Sequence, residues 1–202
     1  MHKILGELKR GLVFIISAPA GTGKTTLVRM LCEEFECVHE SISFTTRAPR
    51  PNEVVGRDYH FISRDEFERK IADDDFLEYA TVFDHYYGTS KSEVESHLKE
   101  GRHVVLVIDT QGALNLMDRL SAVFIFIRPP HLSELRKRLE IRKTDSDEAI
   151  VQRLSWAQKE LELAPRYDYQ IVNDNLKVAY DILRSILIAE EHKTALPDMP
   201  PR

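Results

Sequence analysis

The sequence predicts an α/β fold: a three-layer core with helices on both faces of a parallel sheet, interrupted by a mixed α/β insert. Three observations predict it. Four apolar runs, at 12–16, 104–108, 122–127 and the shorter 170–172, alternate with segments of helical spacing. Uninterrupted runs rich in β-branched residues fit strands buried on both faces. Between residues 38 and 95 the pattern changes to short alternating segments around one helix, which marks the insert. A Gly-rich turn at 18–25 separates the first run from the first helix.

Taken in order, the first strand leads to a helix from about residue 24 to 35, with Leu27, Met30 and Leu31 on one side. Within the insert, 59–62 and 76–82 read as antiparallel strands and 64–71 as the helix between them. The core resumes at 104–108, closed by Asp109, and at 122–127, closed by Arg128, Pro129 and Pro130. Helices are expected over 133–140, 147–163 and 176–191. Ile150, Leu154 and Leu161 set the spacing of the second, and Ala179, Ile182, Leu183, Ile186 and Leu187 that of the third. The Pro-rich end, 196–202, reads as a mobile tail, and no internal repeat is present.

Bulk properties bound the function. A chain of 202 residues suffices for one domain of generous size, able to bury most of its apolar surface. The net charge of -5 argues against nucleic-acid binding through a basic surface. No apolar run approaches the ~20 residues that span a bilayer, and residues 1–7 lack the apolar core of a signal peptide. Cys32 and Cys37 form neither a disulfide framework nor a complete zinc site, so they read as free thiols. The expectation is a cytoplasmic protein with no membrane partner.

The turn carries the first chemistry. Ala18-Pro19-Ala20-Gly21-Thr22-Gly23-Lys24-Thr25 follows a strand and opens a helix, the setting of a phosphate-binding loop. Successive N–H groups of such a loop curl around phosphates, and the helix aims its positive end at them. Lys24 is a point charge for the β- and γ-phosphates, and the Thr25 hydroxyl is the expected Mg²⁺ ligand. Ala18 stands where the motif has its first glycine. In the insert, Arg47 and Arg50 lie three apart among prolines and hydroxyls. They form a fork able to grip a phosphate, with Tyr59 and Tyr87 as added O–H donors. A solvated basic patch is the alternative.

Several segments together resemble guanylate kinase: Ser43-x-x-Thr46-Arg47-x-Pro49-Arg50, Gly56-x-Asp58-Tyr59-x-Phe61, Phe76-Leu77-Glu78, Tyr86-Tyr87-Gly88-Thr89 and Ile108-Asp109-x-Gln111-Gly112. They occur in that family's order and spacing, from about residue 11 to 189. The resemblance implies a P-loop core (11–37, 96–130, 164–191), a nucleoside-monophosphate-binding insert (38–95), a helical lid (131–163) and a flexible tail (192–202), all in one domain. It places ATP on 18–25 with Thr26 and, near adenine, Asn173. It places the GMP phosphate on Arg47, Arg50, Tyr59 and Tyr87, and guanine on Ser43, Glu78 and Thr89. Asp109 would lie near GMP and orient Mg²⁺ waters, while a helix N-cap is its other reading. Arg138, Arg142 and Arg153 would be the lid charges that, with Lys24, neutralise the moving phosphoryl group.

The implied reaction is ATP + GMP giving ADP + GDP, with dGMP as a second acceptor, Mg²⁺ as cofactor and a monomer or homodimer as the acting form. The chain departs from the family pattern at Ala18, Ala20, Asn52, Val107 and Lys143. None of these removes a charged residue of the transfer machinery. Three rivals are a kinase with another acceptor, a non-catalytic guanylate-kinase-like binding module and an NTP-hydrolysing regulator. Intact Lys24 and lid arginines argue against the module, and the Arg47–Arg50 fork against the regulator.

Overall fold

A computed structural model describes residues 3–50, 52–82, 84–141 and 147–194. In chain order the strands are β1 (Val13–Ser17), β2 (Val38–Ser41), β3 (Phe44–Thr45), β4 (His60–Phe61), β5 (Phe76–Val82), β6 (His85–Ser90), β7 (His103–Val107), β8 (Val123–Arg128) and β9 (Tyr169–Val172). The helices are α1 (Lys24–Glu34), α2 (Arg64–Ala72), α3 (Lys91–Lys99), α4 (Thr110–Met117), α5 (Leu132–Ile141), α6 (Asp147–Leu163) and α7 (Leu176–Glu191).

The core sheet has the order β2-β7-β1-β8-β9, and every pair in it is parallel. Alternate residues of β1 feed two separate cores. Phe14 and Ile16 pack with Leu27 and Leu31 of α1 and Leu183 and Leu187 of α7. Val13 and Ile15 pack with Val94 and Leu98 of α3, Leu116 of α4 and Phe126 of β8. Strands buried on both faces are what the apolar runs encode. Because the strands run the same way, the turn at 18–23, Asp109 and Asn173 all lie at their carboxyl ends, where open α/β sheets bind ligands.

The second sheet has the order β4-β3-β6-β5. Its longest pairing is the antiparallel β5–β6 pair at one edge, with a register shift between Phe76 and Glu78. Two expectations need correction. Segment 59–62 contributes β4, but β4 pairs with β3 in parallel, His60 N–H reaching Ser43 O at 2.9 Å. Strand direction follows from the loop between the strands, which local alternation does not encode. The insert was expected from residue 38, yet β2 belongs to the core sheet, paired with β7 from Val38 to Ser41. The chain therefore leaves the core only after Ser41. It returns at α3, whose Val94 and Leu98 are core residues.

α5 and α6 pack on each other through Leu135, Leu139, Ile150 and Ala157. Among the described residues no helix is long and apolar enough to cross a membrane.

Candidate active site

The loop after β1 adopts the geometry its glycines permit. Gly21 and Gly23 both have φ +90°, and Gly23 is the N-cap of α1. Ala18 has no such requirement: among the described non-glycine residues only Asp74 and Asp84 have positive φ. Alanine therefore fits the first loop position without strain, and Asn52 likewise turns at negative φ. Thr22 is buried and donates its hydroxyl to Pro19 O at 2.8 Å. Asn173, also buried, donates Nδ2–H to Thr22 O at 2.7 Å. It thus clasps the loop backbone from the end of β9. Lys24 Nζ donates to Ala18 O at 3.1 Å, so its ammonium is folded back over the loop. Thr25 and Thr26 stand exposed on the first turn of α1, and Ala20 lies half-buried at the tip of the turn.

The fork in the insert is held by a carboxylate. Arg47 donates Nε–H to Tyr87 OH at 3.2 Å and Nη2–H to both oxygens of Glu53, at 2.9 and 3.0 Å. Its guanidinium also lies over the Tyr59 ring, 5.5 Å from the centroid. Arg50 offers its backbone N–H to Glu53 at 2.8 Å and keeps its side chain more than half exposed. Arg47, Arg50, Tyr59 and Tyr87 are therefore brought together as expected. Glu53, which sequence reasoning did not single out, is the anchor beneath them.

Glu78 and Thr89 face each other across β5 and β6. Thr89 Oγ1 donates to Glu78 Oε1 at 2.7 Å, and both side chains are buried. A hydroxyl has one proton, so Thr89 cannot also donate to a base while this bond persists. Burial pushes Glu78 up to about 7, the Thr89 bond opposing it and the Asp109 charge adding to it. Gly112 allows this closeness: a Cβ there would stand 2.7 Å from Glu78 Oε2 and 3.3 Å from Asp109 Oδ1.

Asp109 is an N-cap, its Oδ1 accepting the Gly112 N–H at 2.7 Å at the start of α4. Burial raises its pKa, while the N–H groups of Gly112 and Gln111 and the Lys24 charge pull it back. Glu160 on α6 joins the group. Burial pushes it up to about 7, with Lys24 opposing and Asp109 reinforcing the shift. Nothing in the sequence pattern distinguishes Glu160 from other helical glutamates. The Lys24 charge thus acts on two half-buried carboxylates, Asp109 and Glu160. Oxygen donors at Thr25 and Asp109 suit a hard cation such as Mg²⁺.

The lid residues divide. α5 packs against the loop, since a Cβ on Gly21 would meet Leu139 and Leu135 at 3.1 and 3.3 Å. Arg138, between those two leucines, donates Nε–H to Glu134 at 3.4 Å. Arg153 lies on the α6 face that carries Ala157 and Glu160. Arg142 and Lys143 lie outside the described residues, as do 195–202 of the expected tail. Ser43 sits just before β3, with its carbonyl committed to His60.

Comparison with known proteins agrees with this arrangement. The family model for guanylate kinase matches residues 10–190. Guanylate kinase of Protochlamydia amoebophila is 60% identical, the alignment covering 93% of this chain and 95% of the relative. That of Chlamydia felis is 47% identical, covering 91% of each. Among solved structures, guanylate kinase from Anaplasma phagocytophilum superposes with a TM-score of 0.76 at 35% identity, covering 92% of this chain and 88% of that one. By family model, sequence and fold alike, the chain belongs to the guanylate kinase family.

Proposed function

We propose that the protein transfers the γ-phosphoryl group of ATP to GMP, and to dGMP, giving ADP and the nucleoside diphosphate. The observation that carries the acceptor is the buried Glu78–Thr89 pair. An ionised Glu78 accepts from both N1–H and the 2-amino group of guanine. Once those donors satisfy Glu78, the Thr89 proton is released to guanine O6. Adenine lacks both donors and would leave Glu78 buried and unpaired, which a hydrogen-bonding site rejects strongly.

The remaining residues act by position and charge. Arg47 and Arg50, with Tyr59 and Tyr87, hold the GMP phosphate, and Glu53 keeps Arg47 aimed. Backbone N–H groups of 18–25 hold the ATP phosphates, and Asn173 fixes that loop from below. Lys24 swings from Ala18 O onto the transferring oxygens, joined by Arg138, Arg142 and Arg153. Mg²⁺, when bound at Thr25 and through water at Asp109, supplies charge neutralisation at the β- and γ-phosphates. No general base is needed, because the acceptor phosphate is already ionised near neutral pH. Closure of the insert and of α5–α6 over the nucleotides excludes water. The enzyme is proposed to act in the cytoplasm as a monomer or homodimer, without nucleic acid or membrane.

An ADP-coupled assay with ATP and each nucleoside monophosphate in turn tests the reading. Turnover with GMP and dGMP, and little with AMP or UMP, is expected. Equal turnover with AMP would overturn the acceptor, and no turnover with any of them would favour the non-catalytic module.

A further inference from the structure

Away from the loop after β1, β2 and α3 bring two histidines close to a glutamate. His39 on β2 and His97 on α3 stack, with ring centroids 3.7 Å apart and planes 34° apart. His39 Nε2 lies 3.3 Å from Glu93 Oε1. Glu93 is one turn before His97 on the same face of α3. One donor atom from each of His39, Glu93 and His97 lies within 4.8 Å of the others. The Nδ1 atom of His97 is buried and has no hydrogen-bond partner.

We propose that His39, Glu93 and His97 bind a divalent transition cation of the zinc class, with water completing its coordination. Donors around a tetrahedral zinc ion stand about 3.3–3.6 Å apart, given bonds of about 2.0–2.2 Å. The His39–Glu93 pair already has that spacing, and modest side-chain rotation brings in His97. Two imidazoles and one carboxylate suit zinc, cobalt, nickel or copper, whereas magnesium prefers oxygen. A buried imidazole nitrogen without a partner is costly, and a metal ion is a partner that repays it. His39 and Glu93 keep side-chain exposures of 35% and 26%, so an ion can reach them from solvent.

The location gives the site a consequence. His39 lies two residues before the chain leaves the core sheet at Ser41, and Glu93 three residues after β6 ends at Ser90. A cation held between them ties together both crossings from core to insert. It stabilises the fold there without touching the phosphate loop.

The test uses the full chain, freed of metal and nucleotide, with Cys32→Ser and Cys37→Ser introduced because thiols also take zinc. Titration with zinc, followed by calorimetry, and with cobalt, followed by visible absorption, is expected to show one saturable equivalent and a raised unfolding midpoint. Magnesium should not compete. His97→Asn and Glu93→Gln should each weaken binding by more than the ~10–100-fold that losing a supporting partner costs. Unchanged affinity in these variants, or no saturable binding, means that the cluster is an ion pair with a stacked ring and overturns the proposal. If His97→Asn does not fold, Glu93→Gln still decides by affinity. Pulsed EPR of the copper-loaded parent then counts imidazoles: two support the site, and fewer overturn it.

Discussion

Thr89 gives its only hydroxyl proton to Glu78, across the β5–β6 pair and at 2.7 Å, with both side chains buried. Burial raises the Glu78 carboxyl to about 7, against that bond and with the Asp109 charge adding to it. A carboxyl raised in the folded state leaves stability intact below its unfolded pKa and lowers it as pH rises towards 7. Glu78→Gln keeps an acceptor for Thr89 and removes that slope. The variant should match the parent at pH 4 and exceed it at pH 8 by up to about 3 kcal/mol in urea unfolding. If guanine contacts the ionised form as proposed, GMP binding below pH 7 should release more protons from the parent than from the variant, the release from the GMP phosphate itself, pKa about 6, being common to both. Calorimetry in buffers of different ionisation enthalpy reads this release. Equal proton release by both proteins would remove Glu78 from guanine recognition.

Gly112 is where the Glu78 and Asp109 carboxylates nearly meet. In Gly112→Ala the new Cβ would press on Glu78 Oε2 at 2.7 Å, within the first turn of α4. Alanine favours a helix by about 1 kcal/mol over glycine, so global stability should change little. The KM for GMP should rise at least about tenfold, the effect of displacing a hydrogen-bonding group by more than 1 kcal/mol. The KM for ATP should stay near its parent value. A parallel rise in both would point to general loosening of the core instead.

Lys24 opens α1 directly after the turn at 18–23, and its ammonium rests on the Ala18 carbonyl. Lys24→Ala should lower kcat by about 10²–10³, the cost of one preorganised donor to developing charge, with circular dichroism unchanged. Near-normal turnover would refute its assignment.

These residues show what a single sequence discloses. α6 and α7 occupy 147–163 and 176–191, as their apolar spacing predicts, because one face of each is buried. β2, with Val38-His39-Glu40-Ser41, carries no apolar run and was read as part of the insert. It is an edge strand, and polar residues suffice on its solvent side. The arginine fork and the Glu78–Thr89 pair were legible through motif order. Glu53, Gly112 and Glu160 were not, since their roles arise from partners 6 to 136 positions away that only the folded chain brings near. Asn173, expected beside adenine, also clasps the loop, a contact between the end of β9 and the turn after β1 that motif order does not disclose.

The amino end of the core sheet offers a prediction about stability alone. Glu191, at the end of α7, accepts backbone N–H groups from Gly6 at 2.7 and 3.0 Å and from Glu7 at 3.0 Å. It also lies 2.5 Å from His103 Nε2, at the start of β7. His103 Nδ1 accepts the Leu12 N–H at 3.1 Å, so Nε2 carries the proton and donates to the carboxylate. Burial would raise the Glu191 pKa, but the Glu7 and Gly6 N–H groups and His103 outweigh it and hold it below the usual range. A depressed carboxylate contributes stability above its unfolded pKa, near 4.5, and loses it as pH falls through the folded value. Glu191→Gln turns an amide N–H₂ towards groups that are already donors, at a cost of about 1–3 kcal/mol. The deficit should be full at pH 7 and shrink below pH 4.5, as measured by urea unfolding. GMP turnover at 25 °C should be retained, because His103 and Glu191 lie at the amino end of β7 and the nucleotide site at its carboxyl end. A deficit of equal size at pH 4 and pH 7 would show that packing, not the carboxylate's charge, holds the N-terminal segment to α7.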